Sequence, residues 1–577
     1  MNIKRILSCI LLTYLSYYAF FSNYATLFMP VQHFGGAVFI VAVFLVYYRH
    51  DFSRIKKGEL IFATLLSMAH IIGLTFTRYD SFGMFTTSWF GVVFFFLLLI
   101  GFTAFFYVIA CLLVDKILCV KIEPGTSGRF DNFLAPFLLF LAAWLPYLFI
   151  YFPGTLINDA VRQLSQFMGV DPFSNHHPVV SSLFMGVIFR FGLIFGGGNV
   201  GLFFITIVHN LMMAAAFSLT LRYLKKWGVA YNVRLVVMIF YAFFPVFGVW
   251  AQTILKDTHS SVIMLLFVLC YIDVIRNYSR KKLALVIVTA ILASLLRNEV
   301  VFVVVPCIIA LALVHRSAKM RICMFAMGGV VFISVRLIVS GVMAVTDATE
   351  ISAGVTFSVP FQQTARFMRY HEITEEERAV MAATFYDYYM LGDVYQPRIS
   401  DPVIFRFIEG ADMGAYFRAW ASMGRRAPLT FLEAAVAVSF SYVVPFGPDW
   451  LIIWHDASHS AIPDLGRDDI SYVFSNYAMR VAPLRVIQVA ERLPIIGFFF
   501  HTGNYTWAMA FMVLLLVKRK EKRAMLYFLP ALMIVLACMA SPVHGFWRYY
   551  LPVLFMFPAL VSLVVMMLAG ENKKNCL

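Results

Sequence analysis

At 577 residues, 61% hydrophobic and 13% charged, with a mean hydropathy of +0.81, the chain carries more apolar surface than a soluble fold can cover. It reads as an all-α polytopic membrane protein. The net charge of +15 does not call for nucleic acid, because Lys and Arg gather in short loops between apolar runs, as cytoplasmic loops do. The eight cysteines offer no disulfide framework and no CxxC metal site, and none falls between Val345 and Phe500.

Apolar runs lie near residues 6–22, 33–48, 59–76, 88–114 and 132–152. No small-residue cleavage site follows Met1 to Arg5, so the first run is read as a retained span. Lys4-Arg5, Arg49 to Lys57 and Lys116 to Arg129 are basic and belong in the cytoplasm, whereas Thr77 to Met84 is poor in charge. The loop that opens at Tyr151 therefore lies outside.

That loop breaks at Pro153-Gly154. Ile157, Val161, Leu164 and Met168 then recur at helical spacing, with Asp159, Arg162, Gln163 and Gln166 opposite them. The pattern predicts a short helix on the membrane surface, apolar side down and carboxylate toward water. Asp171-Pro172 and Asn175-His176-His177-Pro178 follow. If the next run, Val179 to Phe195, crossed the membrane, the basic Arg222 to Lys226 loop would lie outside, against the charge rule. A re-entrant or interfacial segment turning at Gly196-Gly197-Gly198 keeps that loop inside.

Further spans are expected near 200–221, 233–252, 259–275, 283–296 and 300–314, then one ending near Ala344. The runs flanking Arg297 are short, as in a broken helix pair. Three more lie near 501–517, 525–541 and 549–569, giving about fourteen in all with both termini cytoplasmic. From Val345 to Phe500 the chain holds 18 Asp and Glu, 12 Arg and no Lys, a net −6 against +21 elsewhere, as in a folded, mainly helical extracytoplasmic region. Thr374-Glu375-Glu376-Glu377 reads as a helix start, and Leu429 to Val444 as a buried or interfacial helix. Four parts result: an accessory region of four spans (1–130), a transmembrane core (131–344) with its first outer loop at 153–199, the extracytoplasmic region (345–500), and three spans with a cytoplasmic tail (501–577). No internal repeat or low-complexity linker is apparent.

This topology brings Asp159, Arg162, Gln163, His176, His177, Lys256, Asp257, Arg297, Asn298, Glu299, His544, Arg548 and Tyr549 to the outer side. Singly they have structural readings: Lys256 and Asp257 cap a span, Arg297 pairs with Glu299, and Arg548-Tyr549 anchors at the interface. Together, a carboxylate base with arginines and a lysine for phosphate suits acid–base chemistry on an anionic lipid.

The arrangement resembles the GT-C fold of membrane glycosyltransferases such as protein O-mannosyltransferases and aminoarabinose transferases. Asp159 followed by His176-His177-Pro178 is similar to their essential first-loop Asp and His-Pro-Pro step, and Lys256-Asp257 to a later charged pair. Residues 130–570 more closely resemble an uncharacterised family of Gram-positive bacterial membrane proteins. The carrying residues are Asp159 with Gln163, Asn175-His176-His177-Pro178, Lys256-Asp257, Leu296-Arg297-Asn298, Pro360 to Arg366 and Arg548-Tyr549. Glu299 stands where that family has Asn or Gly, and the first four spans fall outside the likeness.

The resemblance implies a polyprenyl-phosphate-linked sugar as donor and a cell-envelope glycan, lipid or protein as acceptor. Asp159 would be the base for an inverting transfer. Arg162, Gln163, His176, His177, Lys256, Asp257, Arg297, Asn298, Glu299, Arg548 and Tyr549 would bind donor or acceptor. It implies no required cofactor; Asp159 with His176 could ligate a divalent metal, though their spacing is no recognised ligand pattern. An envelope polysaccharide polymerase and a lipid transporter are the competing classes. Mid-span charges are few, Arg336 and His209 being the notable ones, which weighs against the transporter.

Overall fold

The computed structural model describes residues 3–21, 34–119, 127–315, 317–451 and 477–569. Met1 and Asn2, residues 22–33, residues 120–126 of the Lys116–Arg129 loop, Arg316, residues 452–476 of the outer region, and the tail with Lys573, Lys574 and Cys576 lie outside the described residues.

Helices of seven or more residues are numbered in chain order. The N-terminal group is α1 (Ile3–Phe21), α2 (Phe34–Arg49), α3 (Lys57–Tyr79) and α4 (Trp89–Leu118). Then come α5 (Leu134–Ile150), α6 (Asn158–Phe167), α7 (Val179–Leu193), α8 (Gly198–Lys226), α9 (Tyr231–Phe243) and α10 (Pro245–Ala251). The core continues with α11 (Lys256–Arg276), α12 (Arg280–Leu296), α13 (Val301–Ala310) and α14 (Ala318–Thr346). An outer layer holds α15 (Ser358–Tyr370), α16 (Glu375–Thr384), α17 (Met413–Arg426), α18 (Pro428–Ser439) and α19 (Tyr477–Arg492). The chain returns through α20 (Thr502–Lys518), α21 (Leu529–Met539) and α22 (Trp547–Ala569).

The protein is a helical membrane protein. Apolar runs this long must satisfy their backbone within the segment, and each one read from the sequence is a helix. Among the described residues six helices (α3, α4, α8, α11, α14 and α22) are long and apolar enough to cross a membrane, or seven if α9 and α10, bent by 53°, form one span. That is fewer than the roughly fourteen spans expected from the apolar runs. Loop charge alternates as predicted, but Pro, Gly and the break at Arg297 cut the other runs into shorter helices. That break is real: α12 stops at Leu296, a 3-10 turn covers Asn298–Val300, and α13 begins at Val301.

Contacts sort the loops to two ends. Lys518 pairs with Glu59, and Arg519 donates to the Leu118 and Leu568 carbonyls. Arg234 and Lys225 meet Asp131, Lys226 and Lys282 meet Asp273, and Tyr278 packs on His315. The loops read as cytoplasmic thus share one end. At the other, Arg398 reaches Asp80, and Asn175 bonds to the Thr349 carbonyl. α7 does not carry the chain across. Ser181 in α7 and His209 in α8 both bond to the His259 ring, so the hairpin leaves and returns at one level.

The outer layer has its own apolar centre around Phe361, Phe385, Phe407 and Tyr416. The helix start expected at Thr374 is present and closed by a Thr374–Glu377 capping box, and α18 is a short apolar helix held to α15 by Arg366–Glu433.

Candidate functional site

Two pentapeptides build the site: Thr155-Leu156-Ile157-Asn158-Asp159 and Thr253-Ile254-Leu255-Lys256-Asp257. They share one pattern of Thr, two branched aliphatics, a polar residue and Asp. This corrects the expectation of no internal repeat; five residues are too few to stand out in a chain this long. Thr155 pairs with Thr253 and Leu156 with Ile254, so β1 (Thr155–Leu156) and β2 (Thr253–Ile254) lie side by side and parallel. Each runs after one buried residue into a helix, α6 or α11, and each Asp sits at the second helical position. A carboxylate there is favoured by the positive end of the helix dipole. Gly154 (φ +143°) opens the first unit, and a Cβ there would meet Thr206 Oγ1 at 2.2 Å.

Asp159 is the more accessible of the two. Its Oδ2 accepts from Arg548 Nη1 at 2.9 Å and lies 3.5 Å from Lys256 Nζ and 4.0 Å from His177 Nδ1. Burial pushes the carboxyl pKa up, but Arg548 and Lys256 outweigh it and hold it far below the carboxylate range. Lys256 Nζ donates to His177 Nδ1 at 2.8 Å, which leaves the imidazole proton on Nε2. Burial and Lys256 depress His177 to about 2, so this ring is neutral at physiological pH. Burial and Lys256 also lower His176.

Asp257 is wholly buried, with Oδ1 2.6 Å from Arg297 Nη1, and Arg297 Nε also donates to Glu299. Tyr549 joins the two units: the Arg297 and Arg548 guanidinium carbons lie 5.2 and 4.8 Å from its ring centre. Arg548 Nη2 donates to the Tyr549 hydroxyl at 2.9 Å. Asn298 Nδ2 donates to the Asn175 carbonyl at 2.9 Å and so fixes the loop that presents His176 and His177.

A cavity of about 2050 Å³ opens on this cluster, with Asp159, Arg162, His176, His177, Lys256, Arg297, Asn298, Glu299, Arg548 and Tyr549 in its wall. Most predicted residues therefore converge. Segment 169–575 matches the DUF6020 family, described as a family of unknown function. The chain belongs to that family. No curated protein matches it, and no solved structure does.

The β1–α6 unit lies just before the segment matched to DUF6020, yet it supplies Asp159 to the site. Three expectations are corrected. Asp159 does not face open water; its side chain is 23% exposed and ion-paired. Gln163 and Gln166 are buried, and Gln163 Nε2 donates to Ser182 Oγ, because α7 packs on the face read as solvated. Asp257, Gln163 and His544 do not line the cavity, and His544 turns to the Pro448 carbonyl.

Asp401 and Arg336 are among the further charged residues in the cavity wall. Asp401 comes from the outer layer, where Ser400 N–H bonds to the Pro542 carbonyl; burial raises its carboxyl pKa, and Arg548 and Asp159 are near enough to act on it. Arg336 had a sequence signal, as a charge inside an apolar run. The residues do not fit a metal at Asp159. Lys256 fills the cation position between Asp159 and His177, and among the described residues no three His, Cys, Asp or Glu side chains gather to hold an ion.

Proposed function

We propose that this DUF6020 member is a GT-C-type glycosyltransferase that moves a sugar from a polyprenyl-phosphate donor to a cell-envelope acceptor outside the cell. The observation that carries the reading is the Asp159 carboxylate held between Arg548 and Lys256 in the wall of a large cavity with apolar sides. Asp159 takes the acceptor hydroxyl proton, the hydroxyl oxygen bonds to the anomeric carbon, and the bond to phosphate breaks with its electron pair leaving on the lipid phosphate. Configuration inverts. Arg548 and Lys256 stabilise the departing charge. In the resting site they suppress Asp159 as a base. A donor phosphate competing for them restores its basicity, so proton abstraction waits for the donor.

The test is transfer of a labelled sugar from polyprenyl phosphate to an envelope fraction by membranes containing the protein. Transfer should be absent without the protein and nearly lost in Asp159→Asn; a fully active Asp159→Asn variant ends this mechanism. Orientation is checked by cysteines at exposed Asp171, Glu409 and Lys520. The first two should react with an impermeant reagent in intact cells. Labelling at 520 instead overturns the orientation.

A further inference from the structure

The charges that meet at the two Asp units cancel: Lys256, Arg297 and Arg548 face Asp159, Asp257 and Glu299 at ion-pair distance. An anionic headgroup arriving there finds no uncompensated cation within that set. Among the described residues, Arg162, exposed on α6, and Arg336 are the cavity-wall cations outside it. Arg336 is the unusual one. It lies well inside α14, a helix long and apolar enough to cross a membrane, and it is exposed. Among the described residues its guanidinium has no ion pair or hydrogen bond. An arginine in that position is costly to keep and marks a functional contact.

Packing sets its level. The open side of Gly328 in α14 abuts Val305 and Ile309 of α13, the preceding helix, which is antiparallel across a short loop. Eight residues further along α14, about 12 Å, Arg336 stands level with the turn Asn298–Val300. It is therefore at the level of the Arg297–Glu299 pair and lines the same cavity. Phe332, Val335, Arg336 and Val339 line the cavity at helical spacing, so one face of α14 offers a single cation in an apolar stripe. Val301 and Phe302 of α13 and Ile534, Ala537 and Cys538 of α21 line the same cavity.

We infer that Arg336 anchors the phosphate of a single-phosphate lipid, with the hydrocarbon chain lying along the α14 stripe. The apolar stripe matches a chain and the free guanidinium matches its anionic head. The inference deepens the glycosyl-transfer reading by placing the donor. It rests on that reading only for the identity of the lipid, since a bilayer phospholipid offers the same chemistry.

The test uses the full chain in phosphatidylcholine nanodiscs, with undecaprenyl phosphate and phosphatidylglycerol titrated separately and bound lipid read by native mass spectrometry. Arg336→Ala should weaken undecaprenyl phosphate binding at least tenfold and Arg336→Lys should recover part of it, while Arg190→Ala, on α7 outside the cavity wall, should bind as wild type. Preference for undecaprenyl phosphate, lost in Arg336→Ala, supports the donor site. Equal binding of both lipids, both lost, keeps the anchor but overturns the donor assignment. Unchanged affinity in Arg336→Ala, or no binding of either lipid to the wild type, overturns the inference. Absence of sugar transfer by a wild type that binds lipid through Arg336 overturns the reaction and leaves the anchor.

Discussion

The two strand–helix units carry the same five-residue pattern and the same Asp–Arg pair, yet their surroundings assign them different work. Asp257 is closed in: it has no exposure, and its arginine is also bound by Glu299. Asp159 opens on the cavity, and a lysine and an arginine share one of its oxygens. A carboxylate sealed with its partner is a structural tie, and breaking it strands a charge. A carboxylate at a cavity wall can exchange its cations for those of a ligand. Residue type and local backbone are common to both units, so accessibility separates them.

The largest effect should come from breaking the closed unit. Asp257→Ala leaves Arg297 with Glu299 alone and should destabilise the fold by about 3–5 kcal/mol, read as a lower midpoint in thermal unfolding with little folded protein recovered. A well-folded but inactive Asp257→Ala variant would reverse the roles of the two units. Asp159→Asn should do the opposite, keeping a near-normal unfolding midpoint while turnover falls by roughly 100-fold or more.

Arg548→Ala should weaken binding of a lipid phosphate by about 1.5–3 kcal/mol, the scale of a charge-assisted hydrogen bond. Arg548→Lys should restore only part, because a fork becomes a point charge. Unchanged donor affinity in Arg548→Ala would remove it from the site. The smallest effect is a pH slope. His177 falls from 6.5 unfolded to about 2 folded, so its contribution is complete above pH 6.5 and is lost as pH falls toward 2. Stability should decline on acidification below pH 6.5 by at most about 1.4 kcal/mol per pH unit from this group. His177→Gln should flatten that decline; an equally steep one would show that His177 protonates freely.

Much of the site was legible because charges are scarce in an apolar chain. His176-His177, Lys256-Asp257, Arg297-Asn298 and Arg548-Tyr549 stand out at the ends of apolar runs, and alternating loop charge assigns them to one end. Gln163 departs from its sequence reading because helical spacing tells which residues share a face but not which face meets a neighbour. α7 covers the polar side of α6 and turns Gln163 inward to Ser182. Arg366 shows the same limit. Its motif carried the family likeness, but the side chain is bound to Glu433 and Tyr395 within the outer layer, away from the cavity.

The amino-acid sequence by itself determined the helical class, the position of each apolar helix, the break at Arg297 and the end of the bundle that gathers the polar clusters. Those follow from local hydropathy and loop charge, which need no knowledge of partners. Only the tertiary structure decided that the two Thr-to-Asp pentapeptides lie in parallel register, that Asp159 rather than Asp257 opens on the cavity, and that Arg336 reaches the level of Arg297. Each depends on contacts between segments far apart in the chain, and burial and pairing belong to those contacts rather than to any residue alone.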